Sequence, residues 1–211
     1  MFPFLRRVVL PACALSACAV IAPAVAEFPD KPVKIVNAWP PGTPNDNTAR
    51  IIAERLTQRL GQPVVVENRP GANGTIGTTY VARSAPAGYT LQFATADTHS
   101  INPHIYKTLQ YDAQKGFEPI TLVGTVTFLL ISRASLEHAD VAAVVAAAKL
   151  QPGKLTYASW GTGSTAHVGF ALLESAARVD FLHVPFQGAA PALNAILGSQ
   201  VDLMLTSPLT A

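Results

Sequence analysis

The stretch Val33-Lys34-Ile35-Val36-Asn37-Ala38-Trp39-Pro40-Pro41-Gly42-Thr43-Pro44-Asn45-Asp46, continued to Leu60, decides the fold. Val33 to Val36 reads as a short buried strand, β-branched and apolar around a single charge. Pro40 to Asp46 holds three prolines and a glycine, which forbid both strand and helix there. From about Asp46 or Asn47, the residues Ala49, Ile52, Ala53, Leu56 and Leu60 recur at helical spacing, and Gly61 with Pro63 ends the helix. A strand, a stiff small-residue loop and a helix N-terminus leave unpaired backbone N–H groups pointing outward at an anion. Neither the loop nor the first helical turn carries Lys or Arg, so dipoles would have to hold any anion. Most such loops bind nothing; a second copy of the arrangement gives this one its weight.

That copy begins with Leu155 to Ser159, a strand, followed by Trp160-Gly161-Thr162-Gly163-Ser164-Thr165 and a helix to about Ala177 that carries His167 and Phe170. Between the two copies, Val64 to Val66 and Tyr89 to Ala94 read as strands, with a short helix from Ile76 to Ser84. Thr95-Ala96-Asp97-Thr98-His99 lies at the C-terminal end of the latter strand, the edge where open α/β sheets bind ligands. Ile120 to Ile131 is β-branched and long enough for a strand crossing from one lobe to another. Val141 to Leu150 reads as a helix, Val179 to Val184 as a strand, Pro191 to Leu197 as a helix and Val201 to Leu205 as a strand. Repeated βα units imply right-handed crossovers and parallel sheets, an α/β fold.

Phe4-Leu5-Arg6-Arg7 is a basic head, Val8 to Val25 is apolar and alanine-rich, and Ala24-Val25-Ala26 fits the small-residue rule for signal-peptide cleavage. Residues 1–26 are therefore expected to be a signal peptide and the protein to be periplasmic. Pro11, Pro23 and the weakly apolar alanines argue against a membrane span. Leu15-Ser16-Ala17-Cys18 resembles a lipoprotein processing box, but the residues after Cys18 stay apolar where a polar tether would be expected. Loss of Arg6 and Arg7 takes Lys+Arg from 15 to 13, equal to the 13 acids, and a neutral chain argues against nucleic-acid binding. Both cysteines, Cys13 and Cys18, fall in the leader, which leaves no disulfide, thiol nucleophile or cysteine metal site.

Gly71, Gly74 and Gly77 are spaced GxxGxxG, not GxGxxG, and read as turn and packing residues rather than a dinucleotide site. His99 and His104 are five apart with Pro103 between, which is no metal-ligand spacing. Ser164 lacks a GxSxG elbow, so a serine-type hydrolase using Ser164 and His167 is a weak second reading.

Several ordered motifs resemble the substrate-binding receptors of tripartite tricarboxylate transporters, the Bug or TctC-like family. They are Pro40-Pro41-Gly42 with Asp46 and Ala49-Arg50, Gly61-Gln62-Pro63 through Pro70-Gly71, Thr98-His99-Ser100-Ile101-Asn102-Pro103, Tyr157-Ala158-Ser159 with Gly163-Ser164-Thr165 and His167, His183-Val184-Pro185-Phe186-Gln187-Gly188, and Gln200 to Met204. The resemblance implies a two-lobed periplasmic-binding-protein fold of type II with parallel-sheet lobes, residues 27–123 in the first and 124–211 in the second. It implies no enzyme activity and no cofactor, a small carboxylate ligand, and membrane permease subunits as partners; a sensor passing occupancy to a signalling partner would use the same fold. The ligand residues it implies are Gly42, Thr43, Asn45 and Asp46, then Gly161, Thr162, Gly163, Ser164 and Thr165, with support from Thr98, His99, His167, Gln187 and Gly188. Asp46 has a plainer role as helix N-cap. Thr43 departs from the family, where a second glycine is common, and a tighter first loop is expected. Family members continue well past Ala211, so the C-terminal part of the first lobe is expected to be missing.

Overall fold

In a computed structural model, residues 27–137 and 140–208 are described, and the leader expected at residues 1–26 lies outside them. The chain folds as two α/β lobes, each around its own sheet. The first sheet joins β1 (Val33–Asn37), β2 (Val64–Asn68) and β3 (Thr90–Phe93) in the order β2-β1-β3, all parallel. The second joins β4 (Leu129–Ser132), β5 (Thr156–Ser159), β6 (Leu182–Pro185) and β7 (Leu203–Thr206) in the order β4-β7-β5-β6.

Helix α1 (Pro44–Leu60) lays Ala49 and Ala53 on Val33, Ile35 and Val64. It starts two or three residues before its periodicity suggests, because Pro44 sits at its first position. A missing N–H is harmless there, and the fixed φ suits a helix. Helix α2 (Thr75–Ala82) covers the other face of β1, where Gly77 permits the approach: a Cβ there would lie 2.9 Å from the Arg69 carbonyl oxygen and 3.1 Å from Ala38. Gly71 and Gly74 hold positive φ in the preceding turn, consistent with their reading as turn residues. After β3 the chain makes a π-type turn, Asp97–Ile101, and the short α3 (Asn102–Ile105), where the sequence suggested only a loop.

In the second lobe, α4 (Val141–Leu150) and α5 (Thr165–Ala177) pack Val144, Ala148 and Phe170 on Tyr157 and Leu203. The next residues of the same strands, Ala158 and Met204, face α6 (Ala189–Leu197) through Ala192, Ala195 and Ile196. This alternation puts helices on both faces of the sheet.

Two expectations are corrected. The second sheet is mixed, because β4, the edge strand that enters from the interlobe segment, runs antiparallel to β7, whereas β5, β6 and β7 are parallel. The strand expected over 120–131 is confined to Leu129–Ser132. Residues 120–128 form no strand and pair with no sheet among the described residues, and Ile120 and Leu122 are 75% and 79% exposed. β-Branching favours a pleated surface only where a neighbouring strand supplies one.

Candidate functional site

The first loop is held by an internal acid. Thr43 is the N-cap of α1, its Oγ1 facing the Asp46 N–H at 3.4 Å and donating to the Pro40 carbonyl at 2.9 Å. Asp46 is thus not the cap but the third residue of the helix, and it is 1% exposed. Its Oδ2 accepts from the Gly42 N–H at 2.9 Å and from Arg50 Nε at 2.9 Å, while its Oδ1 accepts from Asn68 Nδ2 at 2.7 Å. Burial would raise its pKa, but Arg50, Asn68 and Gly42 together outweigh burial and hold it at about 2. Gly42 takes a φ of +79°, whereas Thr43, at −74°, needs no glycine and supplies a capping hydroxyl that glycine lacks. Among the described residues, the backbone N–H groups of Thr43 and Asn45 make no hydrogen bond.

The second loop is more densely tied. Ser159, at the end of β5, lies with its Oγ 2.7 Å from His183 Nε2 and accepts from the Gly161 N–H at 3.2 Å. His167 Nδ1 accepts from the Gly163 N–H at 3.0 Å, and the Ser164 N–H donates to the Gly161 carbonyl at 3.1 Å. Ser164, fully buried, caps α5 through the His167 N–H at 3.4 Å. The rings of His167 and His183 stack at 4.2 Å, with Tyr157 on the far face of His183 at 4.8 Å. Burial, and then the neighbouring His167, lower the His183 pKa to about 4. Thr165 donates from both its N–H, at 2.5 Å, and its Oγ1, at 2.6 Å, to Asp97 Oδ1 of the first lobe. Among the described residues of the loop from Gly161 on, the exposed Thr162 keeps a backbone N–H without a hydrogen bond, as does the fully buried Ala166.

The structure therefore joins Gly161, Gly163, Ser164 and His167 in one network, leaves Thr165 beside it bonded to Asp97, and sets Gly161 near the Phe186 carbonyl, beside Gln187 and Gly188. Gly42 to Asp46 form a separate network, with no hydrogen bond to the second loop among the described residues. Thr98 is turned into the first lobe, bonded to Thr95 and to the Tyr111 hydroxyl, and His99 packs edge-on against Phe117 at 4.7 Å. Ser164 and His167 share no side-chain hydrogen bond; the hydroxyl serves as cap and the imidazole turns to Gly163. Asp97, Asn73, Asn68, Arg50, Ser159 and His183 were not singled out from the sequence as site residues. Arg50, Asn68, Ser159 and His183 stand inside the motifs of the resemblance and Asp97 directly precedes one, which was the available signal. Among the described residues, no three His, Cys, Asp or Glu side chains group as a metal would require, and no helix is long and apolar enough to cross a membrane.

Residues 48–211 match the family described as "Tripartite tricarboxylate transporter family receptor". The chain belongs to that receptor family. Solved structures of similar receptors agree with the fold. Rpa4515 of R. palustris, determined with adipate, is 33% identical with a TM-score of 0.81, over 85% of this chain and 60% of that one. The periplasmic binding protein BugD is 39% identical with a TM-score of 0.77, over 86% and 60%. MatC from Rhodopseudomonas palustris, with bound malate, is 34% identical with a TM-score of 0.77, over 85% and 61%. The chain spans about 60% of the length of the curated relatives it matches first.

Proposed function

We propose that this protein is an exported solute receptor that captures a small mono- or dicarboxylate and delivers it to membrane permease subunits, without catalysing a reaction. The observation that carries the reading is the pair of βα loops in a chain of this receptor family, each retaining free N–H donors: Thr43 and Asn45 on one, Thr162 on the other. Such donors at helix N-termini suit a carboxylate, with each dipole adding roughly 0.3–1 kcal/mol beyond the direct bonds. Gly42, Asn45 and Asp46 would shape the first side of the site, and Gly161 to Thr165 the second, with the lobes divided near residue 123. Adipate and malate bound to the similar receptors support the ligand class. A hydrolase would need Ser164 activated by His167, and the two side chains are committed elsewhere.

Export would follow cleavage after Ala26. Native mass spectrometry of the exported protein tests both parts, with a mass beginning at Glu27 and an adduct of carboxylic-acid mass from a mixed acid panel expected. An acylated Cys18 would overturn the cleavage, and an adduct formed only with sugars or amines would overturn the carboxylate reading.

A further inference from the structure

Asp97 belongs to the turn after β3 in the first lobe, yet both of its short hydrogen bonds reach Thr165 in the second, 68 residues away. It is 6% exposed, and no Lys or Arg among the described residues forms an ion pair with it. A buried carboxylate without a cation is costly unless donors surround it. Here the first N–H of α5 and the Thr165 hydroxyl take that part, at the end of the helix where a negative charge is favoured, while burial still raises the carboxyl's pKa.

The contact is reinforced from the same side. Asn73, at a φ of +51°, donates from Nδ2 to the Gly163 carbonyl at 3.0 Å and is itself fixed by reciprocal bonds with Asn102. Ile105 closes on Gly163, where an added Cβ would come within 3.0 Å of its Cδ1. Three first-lobe groups thus converge on one second-lobe loop. Gly161 and Ser164 are held from within their own lobe, Gly163 is held from both, and Thr165 gives its N–H and hydroxyl to the first lobe.

We propose that Asp97 is a positioning residue for ligand capture: by gripping Thr165 across the cleft, it couples closure of the lobes to the arrangement of the second loop and its Thr162 donor. This rests on the carboxylate-receptor reading above. Without the Asp97 acceptor the first turn of α5 is released from the first lobe, and the lobes spend more time apart.

The test uses residues 27–211, which are free of Cys13 and Cys18, with spin labels at Gln58→Cys and Ser175→Cys, both exposed and on different lobes. Asp97→Ala and Thr165→Val should each lengthen and broaden the interlobe distance distribution, and each should weaken malate or adipate binding about tenfold or more by calorimetry. Asp97→Asn keeps an acceptor oxygen for Thr165 and should restore most of the wild-type distance and affinity, a rescue that a role in folding alone would not separate from the alanine variant. A wild-type distance distribution in Asp97→Ala, or unchanged affinity, overturns the role of Asp97. Wild-type protein that binds neither acid instead refutes the carboxylate reading, and the distances still decide whether Asp97 governs closure.

Discussion

Asp46 shows how a single residue's role is fixed by what surrounds it. Asp and Asn both rank high as N-caps, so a capping Asp46 would tolerate Asn. At the third helical position, with Gly42, Arg50 and Asn68 all donating to its two oxygens, an amide would turn its own NH₂ toward one of those donors. Asp46→Asn is expected to cost about 1–3 kcal/mol of stability in denaturant titration, as for a buried hydrogen-bonding group left unsatisfied. The charge also writes a pH dependence. Because the folded pKa is lowered from 3.8 to about 2, the unfolded chain binds the proton first. The stabilisation, about 2 kcal/mol by the pKa difference, is complete well above pH 4 and is lost as pH falls toward 2. Stability measured against pH should lose that part of its acid-side slope in Asp46→Asn; an unchanged slope would mean the carboxylate is not held as the geometry indicates.

At the scale of elements, the glycines of α2 and its entry turn make the sharpest prediction. Gly77 lets α2 approach β1 so closely that a methyl group would meet backbone, the Arg69 carbonyl at 2.9 Å, rather than a side chain able to swing aside. Gly77→Ala should lower stability by about 1–3 kcal/mol despite the better helix propensity of alanine. A neutral or raised melting temperature would show that the helix can simply shift. Most elements were legible in the sequence from local pattern: α1 and α5 bury one face each, β1 is a short apolar run buried on both faces, and the loops between them are marked by Pro and Gly. What escaped was decided by partners. The apolar run at 120–128 carries strand-like residues but no strand beside it, and β4 takes its direction from β7, which lies some seventy residues on by sequence number. The site divides the same way. The glycine-rich loop before α5 is read from local pattern, whereas the bond between Asp97 and Thr165 leaves no mark on the residues near either one.

At the scale of the whole molecule, each lobe has its own apolar core, and the hydrogen bonds between them are concentrated at one corner, where Asn73 and Asp97 meet Gly163 and Thr165. Phe170 lies at the centre of the second core, fully buried and stacked on Tyr157 at 3.9 Å, and the apolar cluster it belongs to is built from second-lobe residues. Phe170→Ala removes a large side chain that well-packed neighbours cannot replace, a loss of about 3–5 kcal/mol. Polar contacts at one corner transmit far less than a shared core would, so the loss should stay on its own side. Hydrogen exchange read strand by strand provides the measurement. Amides of β5, β6 and β7 should exchange faster by the factor that loss implies, while those of β1, β2 and β3 move little. Equal acceleration in both sheets would mean that the corner contacts bind the two lobes into one cooperative unit. The grip of Asp97 on Thr165 would then be a determinant of folding as well as of closure.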